Sequence, residues 1–356
     1  DFVECFDIIN TINIVEDCNI DFNENEIKKL IFKGCKNCGC VQLENLFDPN
    51  EIYAQASHYT SGSIWDEHNN KLVEFISNNI KNSNKIIEVG GGSGRLCNLL
   101  LKKITSINKY KILEIETDSI KVNEKVEYIK GYCENFDFDK ENINTIVMSH
   151  VFEHLYKPTE FLKNIWNSNV DEVFIAIPDM ENLTKQNDYN NLSIQHTFYV
   201  DTRYIAYLFN KYNFKLSGYY NFSKNSNFYY FKRTNKREDL LFKNVNLTKE
   251  LNLFYDAFKK KFQDLIINEP FYICPSGYYG KIVHYYLNIR SKSNILGFLD
   301  SDSHKINKRL SGTNCNIFNK DIIKSKGNIK VLIIAEKYKI EIMEELKSFN
   351  KEVIII

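Results

Sequence analysis

The chain carries no excess of charge of either sign. Its 356 residues hold 46 lysines and arginines against 46 aspartates and glutamates, and no long run of one sign occurs. A nucleic-acid or anionic-membrane partner therefore gets no electrostatic support. Long apolar runs are missing too: none reaches the ~18 residues that a membrane span needs, and no leader of basic, apolar and small residues opens the chain. These absences predict a soluble, cytoplasmic protein with neither nucleic acid nor membrane as partner. Cysteine is present, but its nine residues are an odd count, and Cys97 and Cys133 lie in apolar stretches typical of buried thiols. A disulfide framework is not expected. Asn-x-Ser/Thr triplets such as Asn182-Leu183-Thr184 arise by chance in a chain this rich in asparagine.

Hydrophobic residues make up 43% of the chain and aromatic ones 14%, enough to build the cores of two or three domains. Glycine is sparse at 14 residues, yet four of them crowd into five positions of Lys85 to Gly94, KIIEVGGGSG. Ile86, Ile87 and Val89 read as a buried strand that carries Glu88 near its end. Gly90, Gly91, Gly92 and Gly94 form the turn, and RLCNLLLK from Arg95 has helical spacing. A parallel strand hands over to a helix here, which is where open α/β sheets bind ligands. Glycine lets the backbone approach a bound molecule, and the helix start offers free N–H groups.

Spacing narrows the ligand. A dinucleotide fingerprint needs glycine three residues after Gly92, where Arg95 stands, and Glu88 would crowd a doubly charged pyrophosphate. S-adenosylmethionine (SAM) fits better. It has no phosphate, carries a sulfonium and an ammonium that an acid favours, and presents one small carboxylate. The next strand, Lys111 to Glu116, ends in an acid 22 residues past Gly94, placed for a ribose diol. A tight turn in another doubly wound domain is the competing reading.

Upstream, Cys35-Lys-Asn-Cys38-Gly-Cys40 contains the C-x-x-C-G turn of a zinc knuckle. Two thiolates two residues apart can converge on one tetrahedral ion. Cys35 and Cys38 are half a structural site. Cys5 and Cys18, or a second pair upstream of Asp1, could complete it, and free cysteines near a turn are the alternative. Val41 to Phe47 alternates like a strand. His58 to Ser63, which includes Tyr59, leads into a helix from about Trp65 to Asn79, and its polar residues can fold over the cofactor. Ser63 can also cap that helix.

After a third strand, Val126 to Ile129, Cys133 and Glu134 stand where such folds usually edge an adenine. A fourth strand, Asn144 to Ser149, runs into His150, and Ser149 and His150 complete the candidate cofactor set. His150 and His154 flank Glu153, but they would share a helix face only if both lay in a helix, and the strand ends there. A fifth strand spans Glu172 to Ile177. Met180 to Leu192 reads as polar loop, Asp201 to Tyr212 as helix, and Phe214 to Tyr220 with Asn227 to Lys232 as a hairpin. Beyond residue 246 a helix (Thr248 to Ile266), strands at Phe271 to Cys274, Ile295 to Leu299, Lys330 to Ala335 and Glu352 to Ile356, and helices between them form a second small α/β unit. Its turn Pro275 to Gly280 could hold a nucleotide, but a docking or dimer role is favoured, and Asp300 and Asp302 read as loop caps.

EVGGGSG, Glu116, SHVFEHL followed by Pro158, AIPDMENL and QHTFY resemble the class I SAM-dependent methyltransferases that act on nucleotide-activated sugars. A terminal antiparallel pair closes the sheet in that class. The resemblance covers nearly the whole chain, and it implies residues 1–57 as a zinc-binding region, 58–245 as the Rossmann-like methyltransferase core and 246–356 as a C-terminal Rossmann-like domain. It implies methyl transfer to an activated sugar or related polar metabolite in surface-polysaccharide or secondary metabolism, with a homodimer as one assembly. The sugar C-methyltransferases carry a Tyr-His-Glu-His element whose last histidine is the base, followed by a tyrosine. His196 and Tyr199 match these, whereas Ser193, Ile194 and Gln195 occupy the other three positions. A SAM-binding or structural module without turnover is the alternative class.

Overall fold

Ile86–Val89 is buried at all four residues, as befits a strand paired in parallel on both sides with helices over both faces. The computed structural model describes residues 2–11, 15–19, 21, 23, 26–53, 63–81, 85–115, 124–185, 192–222, 226–238, 247–263, 265–291, 294–335 and 338–355. Ile86–Val89 pairs with Tyr110–Glu114 on one side and Thr145–Ser149 on the other. Val126–Lys130 and Glu172–Pro178 extend the two flanks in parallel. The antiparallel hairpin of Phe214–Phe222 and Ser226–Arg233 then closes the sheet against Glu172–Pro178. The result is a seven-stranded mixed sheet.

Alternating strand residues feed two cores. Ile86, Ile112 and Val147 meet Leu72, Ile76, Leu96 and Leu100 from helices Ser63–Asn79 and Arg95–Lys103. Ile87, Val89 and Ile146 meet Phe161, Leu162, Ile205 and Phe209 from Pro158–Trp166 and Thr202–Asn210. Thr202–Asn210 starts on Asp201, whose carboxylate accepts from Tyr204 N–H at 2.8 Å, an ordinary N-cap.

Beside this core are a two-stranded sheet of Val15–Asp17 with Lys308–Leu310 and two larger sheets. Phe2–Thr11, Ile27–Cys35, Val41–Leu43 and Phe198–Tyr199 form a four-stranded sheet, and Phe271–Cys274 sits inside a five-stranded parallel one. A continuous apolar cluster joins them: Phe6, Leu30 and Phe32 pack with Leu251, Phe254 and Phe258 of helix Leu247–Gln263, and with Phe271 and Tyr279. Strands Phe2–Thr11 and Ile27–Cys35 thus pack on the C-terminal part of the chain. Asp300 caps its loop as expected, accepting from Ser301 and Asp302 N–H at 2.8 and 3.0 Å.

Three boundaries differ from expectation, each for a local reason. Residues 180–192 are not all loop: Met180–Lys185 is a short helix, begun by Asp179, whose backbone carbonyl accepts from Asn182 N–H at 3.1 Å, and fastened by buried Met180. The strand from Val41 stops at Leu43, because the Asn45 carboxamide takes the Ile31 N–H at 3.1 Å in place of a strand partner. The second core strand ends at Glu114, not Glu116; the Glu114 carboxylate accepts from Ile115 N–H at 2.9 Å and turns the chain.

One ion pair fastens the N-terminal segment to the C-terminal one. Arg309 donates to both oxygens of Glu26, at 2.9 and 3.2 Å, and Asn23 N–H, Gly312 N–H and the Ser311 hydroxyl add three more donors. Burial alone would raise the Glu26 carboxyl, but these hydrogen bonds and the Arg309 charge hold it down at about 2, from an ordinary 4.5. A depressed carboxyl stabilises the fold above its unfolded pKa, and that contribution is lost as pH falls from about 4.5 towards 2. At about 1.4 kcal/mol per unit it is worth on the order of 3 kcal/mol. Over that window the wild-type denaturation midpoint should fall further than that of Glu26→Gln. Parallel pH profiles of the two would show the pair to be energetically idle.

Candidate active site

The glycine turn needs its glycines. Gly90, Gly92 and Gly94 all have positive φ, at 68°, 50° and 74°, in the region that side chains disfavour. Gly91 is excluded from bearing a side chain by contact, since a Cβ there would lie 2.8 Å from Ile112 Cγ2 and 3.1 Å from Glu88 Cδ. Gly94 leads into helix Arg95–Lys103. The turn is tied to the neighbouring strand: Gly90 N–H donates to Leu113 O at 2.8 Å, and Gly92 N–H to Glu114 Oε2 at 2.9 Å. Tyr128 donates its hydroxyl to Gly92 O at 2.9 Å.

Glu88 lies beneath this turn, its carboxylate accepting from Tyr110 at 3.1 Å. Burial pushes it up to about 8; the Tyr110 hydrogen bond opposes that, the Glu114 charge adds to it, and the Cys97 amide opposes it weakly. A cation over the turn would draw it towards the ionised form. Glu116 and Tyr59 lie outside the described residues. At the edge of the crevice Cys133–Asn135 makes one short turn, with the buried Cys133 thiol 3.6 Å from a Glu134 oxygen. Glu88 and Glu114 thus set two carboxyl groups against the turn, chemistry that suits a sulfonium, an ammonium or ribose hydroxyls.

Ser149 and His150 follow on the adjacent strand end. His150 has φ 54° and donates its N–H to Ala176 O at 2.8 Å. Its Nε2 is 2.8 Å from Ser226 Oγ, and its ring meets Trp65 edge-on at 5.0 Å. Burial drops it to about 4, so it is a neutral wall residue at pH 7. His154 does not join it on a helix face; Phe152–His154 is a single short turn.

His154 faces His196 instead, ring centroids 5.0 Å apart. Backbone pairing makes this encounter. Thr197 N–H donates to Glu153 O at 3.0 Å and its hydroxyl to Leu155 O at 2.6 Å, clamping the loop before Phe198 onto the 152–155 turn. From the other side Leu43 N–H donates to Thr197 O at 2.9 Å, and Phe198–Tyr199 pairs with Val41 and Gln42. The N-terminal sheet is therefore the buttress that sets His196. Tyr199 is buried against Phe32 at 5.7 Å, with His196 at its edge at 5.8 Å. Tyr53, from the short helix Pro49–Tyr53, lies with its hydroxyl 3.0 Å from His154 Nδ1. Burial raises that phenol, and the neighbouring Tyr156 and Glu153 add to the shift. Burial also holds His154 down at about 3 and Glu153 up at about 7.

The cysteine cluster is built by Gly39, φ 71°, whose N–H returns to Cys35 O at 2.9 Å while Cys35 N–H reaches Cys40 O at 2.8 Å. The Cys38 thiol is drawn down to about 5 by hydrogen bonds, the Cys40 thiol first, against burial, then the Cys40 amide, Cys35 and Tyr204. A thiolate flanked by two thiols is the right chemistry for a soft ion. Cys35, Cys38 and Cys40 do not, however, place all three sulfurs within 4.8 Å of one another, and Cys18 does not complete a set of three with Cys35 and Cys38. Cys18 is turned to the C-terminal segment, donating to Asn307 O at 2.8 Å. The side chain of Cys5 lies outside the described residues.

Tyr53, Glu114 and Ser226 escaped the sequence reading, and Glu153 and His154 entered it only with His150, as a metal group that the spacing disfavours. His154 and His196 are 42 positions apart, so no spacing rule could pair them; the chemical oddity of Glu-His at a strand end was the available signal.

No helix among the described residues is long and apolar enough to cross a membrane. No curated protein matches the chain. Among solved structures the chain is similar to a SAM-dependent methyltransferase of Aquifex aeolicus, at 15% identity over 47% of this chain and 89% of that one, TM-score 0.37. It is also similar to 1,6-didemethyltoxoflavin-N1-methyltransferase of Burkholderia thailandensis, solved with 1,6-didemethyltoxoflavin and S-adenosylhomocysteine, at 10% identity over 58% and 96%, TM-score 0.42. A Pyrococcus horikoshii protein aligns at 13% identity over 53% and 100%, TM-score 0.41. Residues 63–217 match the family described as methyltransferase domain, a span that holds the glycine turn, Glu88, Glu114 and the histidine pair. Over these residues the chain carries a SAM-dependent methyltransferase domain.

Proposed function

We propose that the protein moves the methyl group of SAM to a nucleotide-activated sugar or related polar metabolite, with His196 as the general base. The observation that carries this is the position of His196: a half-buried imidazole at the carboxyl edge of the sheet, next to Thr197, which hydrogen bonds to Glu153, Leu155 and Leu43 hold from both sides. Glu88 and the glycines Gly90, Gly91, Gly92 and Gly94 would hold the cofactor, Glu114 or Glu116 its ribose, Cys133 and Glu134 its adenine, and Ser149, His150 and Tyr59 its remaining edge. SAM supplies an electrophilic methyl on a sulfonium. The acceptor atom forms the new bond to carbon as the carbon–sulfur bond breaks, the bonding pair stays on the neutral thioether, and the acceptor's proton passes to His196. The protein's share is in-line placement and proton acceptance. Tyr199, sealed in the core, would orient His196 rather than exchange protons.

Residues 1–57 and 246–356 would frame the acceptor side, as a zinc-binding region and a C-terminal Rossmann-like domain around the core at 58–245. Ser193 and Ile194 are buried and serve packing, which puts the departure from the Tyr-His-Glu-His element in the loop's support. The test is incubation with SAM and a panel of nucleoside-diphosphate sugars, read by mass for one added methyl and for S-adenosylhomocysteine. SAM binding without turnover on any of them would sink the activity and favour a silent module.

Cys35 and Cys38 are proposed to hold a structural zinc, with Cys40 beside them. Thiolate ligation couples the ion to folding of this turn, so chelation should lower the melting temperature by several degrees, a shift absent from Cys35→Ser/Cys38→Ser. Elemental analysis that finds well under one zinc per chain would end the idea.

A further inference from the structure

We propose that Glu153, His154 and His196 form a binding site for one divalent transition-metal ion, and that this ion competes with the proton for His196. Each of the three offers one ligand atom, and the three atoms lie within 4.8 Å of one another, a grouping unmatched among the described residues. Two imidazoles and a carboxylate are a donor set used by zinc, and by the neighbouring ions that prefer nitrogen with oxygen. Bonds of about 2.1 Å in a tetrahedral arrangement put donors roughly 3.4 Å apart. Side-chain rotations of about an ångström bring the three to that spacing.

A second observation points to a cation independently. Glu153 is 4% exposed, and neither of its carboxylate oxygens has a hydrogen-bond partner among the described residues. His150 Nδ1 lies 3.2 Å from Oε1, an approach that is not a hydrogen bond. A buried carboxylate with both oxygens unmet is costly, and an ion between it and the two imidazoles would satisfy it. Tyr53 engages His154 Nδ1 at 3.0 Å, the outer contact that fixes the ring of a ligating histidine and leaves Nε2 for the metal. His154 and His196 are only partly buried, so the ion can enter from the crevice and keep an open position.

The competition follows from one lone pair. A His196 nitrogen bound to metal cannot accept the acceptor's proton, so the loaded protein is a slower methyltransferase than the metal-free one. This half of the inference rests on His196 as the base; the binding half does not.

Cobalt(II) titration of the full-length chelator-stripped protein, followed by visible absorption, tests it. Cobalt at the cysteines gives thiolate charge-transfer bands, whereas cobalt on nitrogen and oxygen gives only weaker d–d bands, so the two sites separate in one spectrum. The expected result is one equivalent with nitrogen–oxygen character, weakened roughly 100-fold or more in Glu153→Gln and in His154→Asn. Bands of this kind that are absent, or unchanged in both variants, would overturn the site. SAM calorimetry on the same samples reports folding of the variants, and failure of the wild type to bind SAM would sink the methyltransferase reading while leaving the cobalt result standing. Zinc added to a turnover assay should inhibit with the occupancy measured by cobalt; zinc that is required for turnover would overturn the competition.

Discussion

Replacing His196 with asparagine lowers methyl-transfer turnover by about 10²–10⁴-fold, the span a positioned general base contributes, while SAM affinity stays within a factor of about two. Asparagine keeps a polar group of similar reach but cannot take a proton. The backbone of the loop is held by Thr197 and by the pairing of Phe198–Tyr199 with the N-terminal sheet, so the substitution leaves the loop in place. The proposed cofactor residues lie at the ends of Ile86–Val89, Tyr110–Glu114, Val126–Lys130 and Thr145–Ser149, with none from this loop, which is why binding and turnover should separate. The assay is run with chelator present, so that loss of a metal ligand is not mistaken for loss of a base. Full activity of the asparagine variant on the true acceptor would move the role elsewhere. His154 would then be the next residue to test, since His150 is committed to Ser226 and Tyr199 is sealed in the core.

What the sequence revealed and what it hid divide along range. Ile86, Ile87 and Val89 before four glycines announce a central strand and a ligand turn because burial on both faces and positive φ are local demands, and local demands leave local marks. The hairpin of Phe214–Phe222 and Ser226–Arg233 was legible for the same reason. The acid at the second strand's end was legible in kind but not in place: a strand rich in alternating glutamates, LEIE, offers two candidates, and Glu114 is fixed by a hydrogen bond to Gly92, a residue on another strand end. The long strands of the first forty residues went unread, since their apolar positions pack on helix Leu247–Gln263 and make sense only beside it. The meeting of Glu153, His154 and His196 was hidden entirely. It depends on Thr197 bonding Glu153 and Leu155, and on Val41–Leu43 reaching across to Thr197 and Tyr199, a construction spread over some 150 positions.

Gly92→Val abolishes measurable SAM binding, with a loss of at least about 100-fold. Two effects act in the same direction. At φ 50° a β-branched residue is strained by roughly 1–3 kcal/mol, which the turn can relieve only by moving off its hydrogen bond to Glu114 Oε2. That movement frees the Glu114 carboxylate and shifts the Gly92 carbonyl that Tyr128 holds. The added isopropyl group also stands on the backbone surface where a ligand must approach most closely. Each factor of ten in affinity is about 1.4 kcal/mol, so strain at the upper end of its range alone accounts for two decades, before any clash with the cofactor. The effect is confined to the turn, because helix Arg95–Lys103 and the first strand keep their own cores. Circular dichroism should therefore show a folded chain that calorimetry finds unable to bind SAM. Wild-type affinity in Gly92→Val would mean that the cofactor does not lie over this turn, whereas an unfolded variant sends the test to Gly92→Ala, which keeps the strain, adds one methyl group and should cost about tenfold.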